Sequence, residues 1–152
     1  MSGNSIDIDE KPVLVVEDNS ADVVLIRRAF EKVRLANPLQ VVSHGDAAVD
    51  YLAGQGMYAD RQRFPLPVLI LLDLKLPRRS GIEVLQWLRA QQGLQHIPVA
   101  ILTLSQQDHD VNAAYDIGVH SYLVKPVHLD GLLQLLKTTN LYWVLLDAPP
   151  GS

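Results

Sequence analysis

The chain has 152 residues, 48% of them apolar and 20% charged, which predicts one globular domain with a sizeable core and argues against disorder. Its 13 Lys and Arg against 17 Asp and Glu leave a net charge of -4, so it lacks the excess positive charge that a nucleic-acid backbone binder needs. The absence of cysteine excludes disulfides, thiol catalysis and Cys-based metal centres, while the lack of a membrane-length apolar run and the polar, acidic N-terminus predict a cytoplasmic protein with no membrane partner.

Short aliphatic runs alternate with amphipathic stretches. Pro12 to Val16 reads as a first strand and ends in Glu17-Asp18. Asn19 or Ser20 can cap a helix from Ala21 to Leu35, in which Val23, Ile26, Phe30 and Val33 fall on one stripe. Leu39 to Val42 is a second strand, and Asp46 to Ala53 a second helix ended by Gly54. Gln55 to Pro67 is polar and reads as a long loop. Val68 to Leu72 is an unbroken aliphatic run that meets Asp73, the pattern of a central strand buried on both faces. A third helix starts at Ser80 or Gly81 and runs to Ala90. Val99 to Leu102, Asp108 to Ile117 and Ser121 to Val124 read as strand, helix and strand, and Leu129 to Leu146 as a last helix.

Five successive β–α units predict an α/β fold: a five-stranded, doubly wound parallel sheet flanked by five helices. The organisation expected is a flexible tail over 1–11, one domain over 12–147 with an extended last helix, and a C-terminal tail over 148–152.

Sites in such sheets form beyond the carboxyl ends of the strands. There the sequence puts Glu17 and Asp18, Asp73, Thr103 and Lys125. Like charges ~4 Å apart repel by ~4 kcal/mol at an effective dielectric near 20, so three carboxylates call for a counterion beyond Lys125. An oxygen-only donor set suits Mg²⁺ or Mn²⁺. Its expected ligands are Asp18, Asp73 and the backbone carbonyl of Lys75, with Glu17 holding a metal-bound water. A carboxylate beside such a cation can attack phosphorus. Asp73, ending the most buried strand, is the expected nucleophile, with Thr103 and Lys125 contacting the phosphoryl oxygens. A single strand-end Asp is commonly just a cap, and a lone Lys-Pro a turn; what carries the reading is their joint appearance at four strand ends.

These residues resemble a known family. Val15-Val16-Glu17-Asp18-Asn19, then Leu71-Leu72-Asp73-Leu74-Lys75-Leu76-Pro77 with Gly81, then Leu102-Thr103, then Tyr122-Leu123-Val124-Lys125-Pro126 look like response-regulator receiver domains, over about Pro12 to Lys137. The resemblance implies a flavodoxin-like receiver fold and a stand-alone response regulator in a two-component phosphorelay. It implies that Asp73 takes a phosphoryl group from a sensor histidine kinase, that Glu17 and Asp18 are the acidic metal pair, and that Thr103, Lys125 and the aromatic Tyr122 form the switch. The loop from Gly54 to Pro67 and the segment Tyr142-Trp143 with Pro149-Pro150 are similar to the small regulators of cyanobacterial phytochromes, which implies a phytochrome-type kinase. One departure is Leu104, where the family usually has a small residue; a bulky side chain there is expected to tune the phosphorylated state.

The implied output is a conformational change on the face of helix 4, strand 5 and helix 5, by contact and without catalytic turnover of another substrate. The leucine-rich last helix suggests a homodimer through that helix and strand 5. The competing reading is a degenerate receiver acting as a phosphorylation-independent scaffold. An aspartate-based phosphohydrolase is disfavoured by Lys75, which stands where a second Asp would act as acid. A nucleotide or flavin module is disfavoured by the absence of a glycine-rich phosphate loop after the first strand.

Overall fold

The computed structural model describes residues 11–104, 109–119 and 121–138. It contains the expected sheet: β1 (Val13–Val16), β2 (Leu39–Val42), β3 (Leu69–Asp73), β4 (Val99–Thr103) and β5 (Ser121–Val124) are all parallel, in the order β2-β1-β3-β4-β5. The helices are α1 (Ser20–Val33), α2 (Gly45–Ala53), α3 (Gly81–Ala90), α4 (His109–Ile117) and α5 (Leu129–Thr138).

Strand side chains alternate between the faces, and each face carries its own core. On one side Leu14, Val16, Ile70, Leu72 and Ile101 pack against α2, α3 and α4 through Leu52, Leu85, Leu88 and Val111. On the other, Val13, Val15, Leu69, Leu71 and Leu102 pack against α1 and α5 through Ile26, Phe30, Leu132 and Leu136. Every residue of β1, β3 and β4 is buried, as expected for strands covered on both faces.

The expected boundaries shift where a backbone or side-chain contact intervenes. α1 ends at Val33, two residues early, because Arg34 turns left-handed (φ 58°) and its N–H returns to Phe30 and Glu31. α2 begins at Gly45, one residue early, because His44 caps it: its Nδ1 accepts the Ala47 N–H at 3.0 Å. β3 begins one residue late and includes Asp73, and β4 includes Thr103. The expected start of α4 at Asp108, the tails, and the last helix beyond Thr138 with Tyr142-Trp143 and Pro149-Pro150 lie outside the described residues.

The loop after α2 is anchored. Gly54 adopts φ 70°, which glycine tolerates without strain and which turns the chain off the helix. Arg61 then donates to the Tyr51 and Leu52 carbonyls in the last turn of α2 at 2.7 and 2.8 Å and to that of Phe64 at 3.2 Å, tying the loop to the helix end. A 3₁₀ turn over Gly56–Ala59 brings Tyr58 onto both Tyr51 and Phe64, each with ring centroids 5.1 Å apart. In α5, Leu132, Leu135 and Leu136 are buried and Leu133 is exposed, so over its described length one stripe docks on the sheet.

Candidate functional site

Register brings the site together. Val16 pairs with Leu72, Asp73 with Leu102, and Thr103 with Val124, so the carboxyl ends of β1, β3, β4 and β5 stand side by side. The chain leaves β1 toward β2 on one side and returns through β3 on the other, which opens a crevice at that edge. A cleft of about 240 Å³ lies there, lined by Glu17, Asp18, Asp22, Asp73, Lys75, Thr103, Leu104 and Lys125 among others.

Asp73 is buried at the end of β3. Its Oδ1 accepts the Lys75 N–H at 2.8 Å, and its Oδ2 accepts from Lys125 Nζ at 2.7 Å. Lys125 is fixed from behind: its backbone N–H donates to the Thr103 carbonyl at 2.7 Å. The ammonium also pairs with Glu17 Oε1 and, at 3.3 Å, with Asp22 Oδ2. Glu17 is tied to β2 by its N–H to the Val42 carbonyl, and its Oε2 accepts the Asn19 N–H at 3.1 Å.

The charges are out of balance. Burial pushes the Glu17 carboxyl up to about 7, against the pull of Lys125 and the Asn19 N–H. Burial works to lower the Lys125 ammonium, but its hydrogen bonds to Asp73 and Glu17 outweigh that and hold it above its ordinary value. Oxygens of Glu17, Asp18 and Asp73 lie within 4.8 Å of one another, and one ammonium cannot neutralise all three. The all-oxygen donor set and the exposed Asp18 fit a hard, partly hydrated cation, Mg²⁺ or Mn²⁺.

Glu17, Asp18, Asp73, Lys75, Thr103, Leu104 and Lys125 all line this cleft. Lys75 also contributes a backbone N–H to Asp73, a role that strand-end reasoning did not foresee. Leu104 stands at the mouth, 73% exposed. Tyr122 lies elsewhere: half-buried on β5, its ring is 6.4 Å from that of Tyr115, beside a groove between β5 and α5. Two contributors were missed. Asn19 was read only as a helix cap, and it is one, accepting the Asp22 N–H, but its own N–H also orients Glu17. Asp22 sits in the first turn of α1, where an acid reads as an ordinary helix-start residue, and no spacing in the sequence pointed to the cleft.

Comparison with known proteins agrees with this geometry. The family described as response regulator receiver domain matches residues 13–137. The "Probable methanogenesis regulatory protein FilR2" of Methanothrix harundinacea is 38% identical over 139 residues, covering 91% of this chain and 87% of its own. Response regulator Rcp1 of Synechocystis sp. is 36% identical over 142 residues, 93% of this chain and 95% of its own. A structure of Mn²⁺-bound Rcp1 matches with TM-score 0.71 at 34% identity, covering 91% of this chain and 97% of that one. The bacteriophytochrome response regulator RtBRR matches with TM-score 0.83 at 42% identity, covering 94% of this chain and 86% of that one. With its sheet order, its acidic cleft and a match over most of its length, the chain belongs to the response-regulator receiver family.

Proposed function

We propose that this chain is a phosphoacceptor signalling protein that takes a phosphoryl group on Asp73 from a sensor histidine kinase of the phytochrome type. The observation that carries the reading is the setting of the Asp73 carboxylate. It is held between the Lys75 N–H and the Lys125 ammonium, within reach of two further carboxylates. Asp18 and Asp73, with the Lys75 carbonyl, would hold Mg²⁺ or Mn²⁺, and Glu17 a water of its shell. When bound, the cation offsets the negative charge of the phosphoryl group.

In the transfer, an Asp73 carboxylate oxygen forms the new O–P bond as the P–N bond to the donor imidazole breaks. The nitrogen keeps the electron pair and takes a proton from solvent water. The Thr103 hydroxyl and the Lys125 ammonium donate to the phosphoryl oxygens, where the transition-state charge is spread. The phytochrome pairing is supported by the likeness to RtBRR over 94% of the chain. The name FilR2 points to a different input, so the kinase itself must be tested.

The signal is a repacking of α4, β5 and α5, with Thr103 moving toward the phosphate and Tyr122 turning inward. Support comes from the position of Tyr122, one strand over from the cleft and half-buried. Exposed Tyr115, Val124 and Leu133 on those elements give a surface for a homodimer through β5 and α5.

Incubation with Mg²⁺ and acetyl phosphate, compared with Asp73→Asn, tests the core of the reading. A base-labile, phosphate-sized mass gain confined to the wild type supports it. No gain in a folded protein favours the scaffold reading instead, with Leu104 obstructing the cleft mouth.

A further inference from the structure

An ammonium has three N–H donors, and the Lys125 ammonium lies within ion-pair distance of three carboxylates: Glu17, Asp73 at 2.7 Å, to which it donates a hydrogen bond, and Asp22 at 3.3 Å. Phosphoryl transfer needs at least one of those donors aimed at a phosphoryl oxygen. Turning toward that oxygen loosens the ammonium's pairing with the carboxylate that holds it least. Glu17 is poorly suited, since its side chain is 1% exposed and its contact with the ammonium is the shortest of the three. Asp73 gives up its charge only once the new O–P bond has formed. Asp22 has the longest contact and a side chain 23% exposed, so water can take its place. It is nonetheless firmly placed, on the first turn of α1, with its N–H bonded to Asn19 Oδ1 at 3.0 Å.

We propose that Asp22 is a positioning residue that restrains Lys125 in the resting protein, so that phosphoryl acceptance includes an exchange in which the ammonium leaves Asp22 for a phosphoryl oxygen. The inference rests on the phosphoacceptor reading. The ammonium keeps its protons throughout; with acetyl phosphate as donor, the Asp73 O–P bond forms, the P–O bond to acetate breaks, and acetate leaves with the electron pair. A purely structural Asp22 would instead favour the helix N-terminus with its negative charge, and its loss would lower stability without changing the rate.

The test is the initial rate of phosphate gain from acetyl phosphate and Mg²⁺ in wild type, Asp22→Asn, Asp22→Ser and Asp22→Glu, with thermal unfolding and the ¹⁵Nζ resonance of Lys125 recorded without donor. Expected are a rate about two- to fivefold higher in both uncharged variants, the rate equivalent of a partly exposed ion pair, a shifted Lys125 resonance, and a return toward the wild-type rate in Asp22→Glu. Uncharged variants at or below the wild-type rate overturn the proposal, whether or not their unfolding temperature falls. Phosphate gain by none of the proteins, wild type included, overturns the phosphoacceptor reading and the proposal with it; equal gain by all overturns the proposal alone.

Discussion

Gly81 lies against the backbone of Asp73: a Cβ at Gly81 would stand 2.3 Å from the Asp73 carbonyl oxygen and 2.5 Å from the Leu74 Cα. The Gly81 N–H also donates to the Leu74 carbonyl at 3.0 Å. The first residue of α3 therefore abuts the segment that carries Asp73. Gly81→Ala is expected to destabilise the protein by about 1–3 kcal/mol, the usual cost of forcing extra atoms into a packed site. It should also slow phosphate gain on Asp73, since the two backbones must part. Denaturant unfolding and the acetyl phosphate assay check both; a stability and rate equal to wild type would refute the prediction.

Lys125→Met separates the two demands on the cleft. Without the ammonium, the three carboxylates attract a divalent cation more strongly, and Mg²⁺ affinity should rise about tenfold. Phosphate gain should nonetheless fall by about 10²-fold, the effect of removing one preorganised donor from an anionic transition state. Titration with Mg²⁺ and the phosphorylation rate read the two effects separately.

Tyr51 ties α2 to the loop that follows. Its hydroxyl donates to the Pro65 carbonyl at 2.9 Å, and burial, opposed by Arg61, pushes its pKa from 10.0 up to about 12. A phenol is neutral when protonated, and the folded protein holds that proton more tightly than the unfolded chain. The resulting stability is fully present below pH 10 and is lost as pH rises toward 12. Tyr51→Phe should cost about 1 kcal/mol at neutral pH and flatten the alkaline loss. Urea midpoints measured across that range decide it.

Leu104→Ala should leave stability within about 0.5 kcal/mol of wild type, because the side chain is 73% exposed. The same change opens the cleft mouth, so the aspartyl phosphate should hydrolyse faster, by about threefold or more, if an ~0.7 kcal/mol barrier is lifted. The decay of the phosphorylated mass after donor removal measures it; an unchanged lifetime would assign Leu104 no part in shielding the phosphate.

Much of this molecule was legible in its residues. The five strands were read to within one residue at either end because β1, β3 and β4 are built on unbroken aliphatic runs and most strand ends are marked by charge or Pro. That Asp73, Thr103 and Lys125 would share one cleft was legible because a parallel sheet gathers its strand ends on one edge. The long loop was less so: as a polar stretch it gave no sign that Arg61 would take three carbonyls or that Tyr58 and Phe64 would close over Tyr51.

By itself the sequence determined the parallel sheet, the order of its units, and which chemical groups would meet, since those follow from hydrophobic period and strand direction. Only the tertiary structure decided how the groups share one another. That Lys125 serves Glu17, Asp22 and Asp73 together depends on distances between β1, α1, β3 and β5, segments up to about 110 residues apart in the chain. The raised affinity of Glu17 for a proton likewise comes from burial beneath neighbours that no local pattern reveals. Periodicity is local and survives in the sequence, whereas electrostatic coupling depends on packing and exists only once the chain has folded.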